Sequence, residues 1–336
     1  MNRSSVSREG ERPPLVTVIV TVYKRTEFLA EALRSALAQT FQDYEIIVPD
    51  DSGCAAAREI TESTASGRSS VRYHPNERTL GVACSLRTAL GLARGTYIAI
   101  LNDDDVWEKE FLERLVPPLE ADPRRVLAFS DHWVIQADGV VSVEKTEINT
   151  RRYGRFGLKE GELADPAGFV LIKNGLPLAM ASLFRKDALD AGLLVAEVSG
   201  AYDLWISCLL VASGRPLYYV PERLTRYRVH PGMESGRPGA DRNQNHVYIF
   251  SEIIRRDLFP ALRSHLRARL GGALFHLGRD KLYFNDLPGS RLCFKKALST
   301  HRDWRPLAAY VLSWLPLRCR VWLKLSKPGD GSWTIV

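Results

Sequence analysis

The sequence predicts an α/β protein whose central sheet is mostly parallel and is flanked by helices. Short apolar runs rich in β-branched residues alternate with amphipathic helical segments from residue 15 to residue 135, which is the pattern of repeated strand–helix–strand units. Polar and charged clusters follow three of these apolar runs. Because ligands of such sheets bind beyond the carboxyl ends of the strands, the clusters are candidates for one binding site.

Each element of this alternation has its own signature. Residues 28–37 carry apolar side chains at helical spacing, and residues 55–63 form a second predicted helix. A third helix over 81–95 is ended by a glycine, and a fourth over 107–115 has Asp105 as its candidate N-cap. The predicted strands are LVTVIV (15–20), YEIIVPDD (44–51), VRYH (71–74), TYIAIL (96–101) and RVLAFSDHWVI (125–135).

The predicted secondary-structure pattern changes twice along the chain. Short strands and helices mix between residues 164 and 228, and the pattern beyond His246 is helical. The predicted organisation is a disordered polar tail over 1–14, a sheet-containing domain over 15–245 with halves 15–130 and 131–245, and a C-terminal helical extension over 246–336.

Cysteine spacing and apolar run lengths exclude several classes of protein. The five cysteines lie far apart and form no CxxC pair, which favours reduced thiols in a cytoplasmic protein over disulfides or a zinc site. No apolar run is long enough to predict a transmembrane helix, and residues 1–14 lack the apolar stretch of a secretory signal.

Positive charge is concentrated towards the C-terminus. Residues 251–336 hold 16 of the 46 Lys and Arg residues but only 6 of the 39 Asp and Glu residues. An apolar stretch over 307–315 precedes basic and aromatic residues over 318–327, a combination that suits the headgroup region of a membrane. We expect no nucleic-acid partner, and we predict peripheral contact with the inner face of the cell membrane through residues 307–327. Packing on the preceding domain, or a homodimer interface, is the alternative for this segment.

Acidic residues at two predicted strand ends indicate a cation site. Asp103, Asp104 and Asp105 follow one strand, and Asp50 and Asp51 follow another. Mg²⁺ and Mn²⁺ are bound by one or two carboxylates together with substrate phosphates, whereas a solvated loop that caps the next helix is the alternative for the acidic triplet alone. Neither GxGxxG nor GxxxxGK[ST] follows the first strand, which argues against a Rossmann dinucleotide site and a P-loop.

Four segments resemble the inverting family-2 glycosyltransferases, which have the GT-A fold. They are VTVIVTVYKRTEFLAEALRSALAQTFQDYEIIVPDDS (16–52), ARGTYIAILNDDDVW (93–107), YDLW (202–205) and YRVHPG (227–232). The resemblance implies transfer of a sugar from a nucleoside-diphosphate sugar, by default a UDP-sugar, to a hydroxyl of a glycan, lipid-linked or small-molecule acceptor, with Mn²⁺ or Mg²⁺ as cofactor. Two other functions stay open: nucleotide-sugar binding without catalysis, and nucleotidyl transfer.

The resemblance also implies roles for individual residues in the nucleotide-sugar half, 15–130. Thr21 and Tyr23 would support the base of the donor, Asp50 would bind that base with Asp51 beside it, and Arg87 stands where members of the family often have Asn. Asp103 would hold the ribose, and Asp104 and Asp105 the metal. His230, in the acceptor half, would reach the metal or the pyrophosphate. The alternatives are a packing role for Tyr23, a turn role for Asp51 and a structural role for His230.

The expected catalytic base departs from the family pattern. Members of the family usually have Glu-Asp before the YDLW stretch, and that aspartate is the base, whereas this chain has Gly200 and Ala201. Asp203 is the nearest remaining carboxylate and the provisional base, with Glu197 as the next candidate. The alternative for Asp203 is a helix cap. Arg226 and Arg228 would either neutralise the diphosphate or form the outer face of a strand.

Overall fold

The predicted strands form one sheet at the centre of the molecule. A computed structural model describes residues 12–233 and 240–315. The strands are β1 (Val16–Thr21), β2 (Tyr44–Asp50), β3 (Val71–Pro75), β4 (Tyr97–Asn102), β5 (Val106–Trp107), β6 (Leu127–Ile135), β7 (Gly161–Glu162), β8 (Ser182–Arg185) and β9 (Leu217–Arg228).

The sheet is parallel in its first half and mixed in its second. Its order over the described residues is β3-β2-β1-β4-β8-β6-β9-β5, with β7 paired to β9. Strands β3, β2, β1 and β4 pair in parallel, whereas β8 lies antiparallel between β4 and β6. The carboxyl ends of β1, β2 and β4 therefore share one edge, and the antiparallel pairing of β5 with β9 brings residues from the C-terminal half to the end of the acidic loop.

Helices cover both faces of the sheet, as expected for this fold class. They are α1 (Leu29–Leu37), α2 (Ala55–Ala65), α3 (Val82–Leu92), α4 (Phe111–Ala121), α5 (Val143–Arg152), α6 (Pro166–Leu171), α7 (Leu178–Ala181), α8 (Tyr202–Ala212), α9 (Ala240–Arg255), α10 (Arg263–Tyr283), α11 (Leu287–Thr300) and α12 (Arg305–Leu312).

The alternation of side chains along β1 explains why two hydrophobic clusters form. Val18 packs in one cluster with Leu33 of α1 and residues of α4. Ile19 belongs to the other, with Leu86 of α3 and Trp205 of α8. Because successive side chains of a strand point to opposite faces, the apolar run Val18–Val20 can serve both clusters.

Two predicted helix ends are wrong. The fourth helix begins at Phe111 instead of residue 107, because Val106 and Trp107 pair with β9 as strand β5. Asp105 is therefore not its N-cap. Helix α3 ends at Leu92, before the glycine predicted to end it. Gly95 is needed for close packing instead, since a Cβ there would lie 2.4 Å from the backbone nitrogen of Thr17.

The predicted domain boundary between residues 245 and 246 falls inside α9. Ile249, Phe250 and Ile253 of this helix are buried in the same cluster as Trp205, so α9 packs as part of the sheet-containing domain. Most of the predicted tail over 1–14 lies outside the described residues. No helix in the described ranges is both long and apolar enough to cross a bilayer.

Candidate active site

Three loops meet at the carboxyl edge of β1, β2 and β4. Val22 forms a parallel bridge with Asp50, and the backbone N–H of Asp51 donates to the carbonyl of Val22 at 3.0 Å. The hydroxyl of Thr21 lies 3.4 Å from Oδ1 of Asn102 at the end of β4. The polar clusters that the sequence placed after separate strands are therefore neighbours.

Asp50 is fully buried and holds the turn between β2 and α2. One carboxylate oxygen accepts from the backbone N–H and the hydroxyl of Ser52, at 2.8 and 2.6 Å. The other accepts from the backbone N–H of Cys54 at 3.1 Å and from the hydroxyl of Tyr73 at 2.7 Å. Burial and this hydrogen bond raise the pKa of Tyr73, so the phenol keeps the proton that it donates.

Asp51 fixes the loop between β3 and α3. Its Oδ1 accepts from the side-chain amide of Asn76 and the N–H of Leu80, at 2.9 and 2.7 Å. Its Oδ2 accepts from the N–H of Gly81 at 2.8 Å. Gly81 has φ +83°, a left-handed conformation that favours glycine. Asp51 thus shapes the rim of the site, and its carboxylate already has three partners.

The acidic triplet is buried rather than solvated. Oδ1 of Asp105 accepts from the backbone N–H of Arg228 at 3.0 Å, and its Oδ2 accepts from the side-chain amide of Asn102 at 3.2 Å. Burial, followed by repulsion from Asp104, raises the pKa of Asp105 well above its usual value. Burial likewise raises the pKa of Asp103 to about 7. The negative charge of this loop is therefore incompletely compensated by the protein.

Arg25, which the sequence analysis did not identify, provides part of the compensation. Its Nη2 donates to Oδ1 of Asp103 and lies 2.9 Å from Oδ2 of Asp104. One nitrogen atom thus sits between two buried carboxylates, where it stands in for a small cation. The only sequence signal for this role was a basic pair in the loop after the first strand.

His230 lies against the same carboxylates. Its Nδ1 accepts from the backbone N–H of Gly232 at 3.2 Å, which assigns the ring proton to Nε2. That nitrogen then donates to Oδ2 of Asp104 at 3.1 Å, and the ring packs on Phe28 with 5.1 Å between centroids. In this tautomer His230 is a hydrogen-bond donor to the cluster.

The two arginines near the end of β9 are engaged within the protein. The Arg228 guanidinium is buried, donates to the backbone carbonyl of Asp104 at 2.9 Å and pairs with Glu31 at 2.6 Å. Arg226 pairs with Glu108 at 2.7 Å. In this structure both arginines brace the loop and strand around the site.

The start of α8 closes another side of the site. The hydroxyl of Tyr202 donates to Oδ1 of Asn102 at 2.9 Å. Asn102 directly precedes the acidic triplet, and Asp203 directly follows Tyr202 in the sequence. The N-cap of α8 is Ala201, and Asp203 lies in the first turn of the helix instead of at the cap position. Solvent reaches the Asp203 side chain, but desolvation by the surrounding protein raises the pKa of its carboxyl.

The departure from the family pattern at Gly200 has a packing reason. The Gly200 N–H donates to Oδ1 of Asn245 at 3.0 Å, and a Cβ at Gly200 would lie 2.6 Å from that oxygen. Ala201 is buried. Glu197, the second candidate base, has an exposed side chain.

The remaining predicted residues differ in their placement. Tyr23 is 44% exposed at the rim of the site, with Nζ of Lys24 5.0 Å from its ring centroid. Arg87 is exposed on α3 and forms no ion pair with the acidic clusters in the part of the chain that the structure describes. No three His, Cys, Asp or Glu side chains of the described ranges converge on a ready metal site.

Sequence comparisons agree with the family resemblance. The model described as glycosyl transferase family 2 matches residues 17–170. A glycosyltransferase of Methanocaldococcus jannaschii is 29% identical over 220 residues, which are 64% of this chain and 71% of that protein. The Bacillus subtilis glycosyltransferase TuaG, named for teichuronic acid biosynthesis, is 32% identical over 117 residues, 35% of this chain and 45% of that one.

Solved structures agree with the fold. S. aureus TarS 1–349 in complex with UDP-GlcNAc superimposes with a TM-score of 0.64 at 15% identity, covering 89% of each chain. The mannosyltransferase PcManGT from Pyrobaculum calidifontis in complex with GDP-Man and Mn²⁺ gives a TM-score of 0.53 at 18% identity, covering 94% of this chain and 84% of that one. The expected GT-A fold is thereby confirmed.

Proposed function

The chain belongs to glycosyltransferase family 2, and from that premise we propose that it is a metal-dependent, inverting enzyme that uses a nucleoside-diphosphate sugar. A UDP-sugar is the favoured donor, and the acceptor is a hydroxyl of a glycan, lipid-linked or small-molecule substrate. The observation that carries the proposal is the cation position between Asp103 and Asp104, at the edge shared by β1, β2 and β4. Family membership leaves no support for the nucleotidyltransferase alternative.

The donor set at this position fits Mn²⁺ or Mg²⁺. Two buried carboxylates already share one cationic nitrogen, and such ions take one or two protein carboxylates with the remaining ligands from water and phosphate. Asp103 and Asp104 would hold the metal, whereas Asp105 is already bonded to Asn102 and Arg228. The metal would neutralise charge on the diphosphate leaving group. His230 would donate from Nε2 to Asp104 or to a phosphate oxygen.

The nucleotide would lie across the ends of β1 and β2. The exposed ring of Tyr23 offers a surface on which a base can stack, and Thr21 lies beside Asn102 at the ribose side. Asp50 would bind the base only by exchanging one of its four present donors. Tyr73 is the candidate for exchange, because it comes from β3, outside the turn that Asp50 holds, and its side chain is partly exposed.

Asp203 is the proposed general base. An inverting transfer needs one group that takes the proton of the acceptor hydroxyl as it attacks the anomeric carbon opposite the leaving group. Desolvation raises the pKa of Asp203, which makes the carboxylate a stronger proton acceptor.

The acceptor we propose is a polysaccharide precursor. The name of TuaG, which refers to teichuronic acid biosynthesis, supports this proposal.

Donor binding is tested by thermal shift with UDP, GDP and dTDP, each with and without Mn²⁺. We expect stabilisation by one nucleotide that requires Mn²⁺, lost in Asp104→Asn and kept in the control Asp187→Asn, whose side chain is exposed. Stabilisation that is independent of both Mn²⁺ and Asp104 would contradict the metal role.

Catalysis is tested by release of UDP from UDP-sugars. We expect Asp203→Asn to lower turnover by about 10²–10⁴ at nearly constant donor affinity, whereas Glu197→Gln keeps turnover near that of the unsubstituted protein. Tight Mn²⁺-dependent donor binding without any turnover would instead support the binding protein that lacks catalysis.

A further inference from the structure

Helix α12 presents an apolar stripe to solvent. Leu307, Val311, Trp314 and Leu315 are 53, 57, 62 and 36% exposed. Their spacing puts them on one face of α12 and of the turn that continues it. Trp304, just before the helix, is 75% exposed. Large apolar side chains exposed as a group mark an interaction surface more often than isolated ones do.

The opposite face of α12 packs on the protein. Ala309 and Tyr310 join Leu282 and Phe294 in a small cluster beneath the helix. The stripe is therefore distinct from the internal packing face of α12. It is a second apolar face, left without a partner among the described residues.

Cations flank this stripe. The Arg291 guanidinium stacks on the Trp314 ring, 3.5 Å from its centroid, and donates to the carbonyl of Ser313 at 3.0 Å. Nζ of Lys295 lies 5.4 Å from the centroid of the Tyr310 ring. An aromatic ring beside a cation suits the boundary between lipid headgroups and acyl chains.

We infer that the α12 stripe docks the enzyme on an anionic lipid surface. Leu307, Val311 and Trp314 would enter the headgroup boundary while Arg291 and Lys295 meet lipid phosphates. Attachment of this kind needs no membrane-spanning helix, because an amphipathic face lies in the plane of the interface. The inference goes beyond the proposed transfer reaction and does not depend on it.

The charges of Arg291 and Lys295 favour a lipid partner over two other possible occupants of the stripe. A two-fold dimer through this face would bring the Arg291 and Lys295 sets of two copies together, which costs electrostatic energy. Residues 316–336 of this chain carry four basic residues and one acidic residue, so they do not complement the cations either. An anionic bilayer satisfies both the apolar and the cationic parts of the surface.

The test is flotation of the full chain with vesicles of phosphatidylcholine alone and of phosphatidylcholine with phosphatidylglycerol. We expect flotation only with phosphatidylglycerol, and less of it at about 0.5 M salt than at about 0.05 M, because salt screens the lipid charge. The double variant Leu307→Gln/Val311→Gln should lower the bound fraction by about tenfold or more. The matched control Ile148→Gln, on α5 and 56% exposed, should float as the unsubstituted chain does.

Two further measurements keep the inference open to refutation. Arg291→Gln/Lys295→Gln should weaken flotation at low salt while UDP-dependent thermal stabilisation stays unchanged. The result for lipid binding is therefore independent of the result for nucleotide binding. Protein that stays at the bottom of every gradient, or that floats equally with both vesicle types and in all variants, overturns the inference. A concentration-dependent dimer without lipid, abolished by Leu307→Gln/Val311→Gln, would assign the stripe to a second copy instead.

Discussion

At the scale of single residues, Arg25 provides an internal cation for the acidic loop. Three buried carboxylates in sequence repel each other, and a guanidinium within 2.9 Å of Asp104 offsets part of that repulsion. The same nitrogen lies where a divalent cation would bind. Arg25 and the metal should therefore compete for Asp103 and Asp104, and the displaced guanidinium would be free to meet the diphosphate.

Replacing Arg25 tests this competition. We expect Arg25→Gln to strengthen Mn²⁺ binding in the absence of nucleotide, because two carboxylates lose their internal partner. Without metal the variant should unfold about 1–3 kcal/mol more easily, since a partly buried charge pair is broken. Paramagnetic resonance titration of Mn²⁺ and denaturant unfolding check both effects.

Arg58→Gln, which removes an exposed pair with Glu62, is the control for Arg25→Gln. It should change neither Mn²⁺ affinity nor stability appreciably. Equal Mn²⁺ affinity in Arg25→Gln and the unsubstituted protein would show that the guanidinium does not occupy the metal position.

His132 is a second residue whose environment has a measurable consequence. It is buried on β6, where its ring packs against Tyr227 with 6.0 Å between centroids. Burial lowers the pKa of His132 to about 3, with Arg155 and Arg223 acting in the same direction and Asp131 and Asn149 against it. The folded protein therefore keeps this ring neutral where the unfolded chain would protonate it.

The sign of the resulting pH dependence follows from proton linkage. Between about pH 6.5 and pH 3 the unfolded state binds one more proton than the folded state, so stability falls as the pH is lowered. In His132→Leu the free energy of unfolding should fall less steeply with decreasing pH, by about 1.4 kcal/mol per pH unit. Denaturant unfolding at pH 7 and pH 5 measures it, with exposed His301→Leu as control. Parallel curves for His132→Leu and the unsubstituted protein would contradict the assignment.

At the scale of elements, two glycines near the end of α3 have opposite roles. Gly91 lies within the helix, and a Cβ there would meet nothing within 4 Å. Gly95 lies in the connection to β4, where a Cβ would be 2.4 Å from the backbone of Thr17 in β1. The connection passes so close to β1 that it excludes even one methyl group.

This contrast predicts opposite signs for the same substitution. Gly91→Ala should stabilise the protein by about 0.5–1 kcal/mol through helix propensity. Gly95→Ala should destabilise it by about 1–3 kcal/mol, because backbone atoms must shift. Thermal and denaturant unfolding of the two variants checks the pair. A stabilised Gly95→Ala protein would mean that the connection yields easily.

Strand β5 shows why an element boundary was missed. The stretch after the acidic triplet has helical composition from Trp107 onwards, and local propensity favoured one helix. Pairing of Val106 and Trp107 with Arg226 and Thr225 of β9 overrides that propensity. The partner strand lies more than 100 residues away in sequence, where no local pattern can reveal it.

At the scale of the whole molecule, α9 joins the catalytic domain to the C-terminal helices. Ile249, Phe250 and Ile253 are buried beside Trp205, and each such side chain contributes about 1.5–3 kcal/mol. Their sum is comparable with the 5–15 kcal/mol that stabilises a typical domain. Residues 246–255 of α9 are therefore expected to stabilise the sheet-containing domain.

Truncation tests this conclusion. A chain ending at residue 245 should lose cooperative unfolding and expose apolar surface, because residues 246–255 of α9 and their buried side chains are removed. A chain ending at residue 315 keeps α9 and should unfold cooperatively. Calorimetry and dye binding compare the two proteins. Cooperative melting of the shorter chain would instead support the boundary predicted from the sequence.

The sequence by itself determined the fold class, the strands β1 to β4 and the edge at which the polar clusters gather. It could do so because alternation of strands and helices is a local pattern, and parallel strands bring their carboxyl ends to one edge. Family resemblance then pointed to the residues of the three loops. All of these features are encoded within short segments.

Only the tertiary structure decided which side chains meet across those loops. It brought Arg25 between Asp103 and Asp104, His230 onto Asp104 and Tyr202 onto Asn102, and it engaged Arg226 and Arg228 within the protein. The contacts of Arg226, Arg228 and His230 join the two halves of the chain near the pairing of β5 with β9. Because a buried charge selects its partner by distance and desolvation in three dimensions, sequence spacing carries no record of that choice.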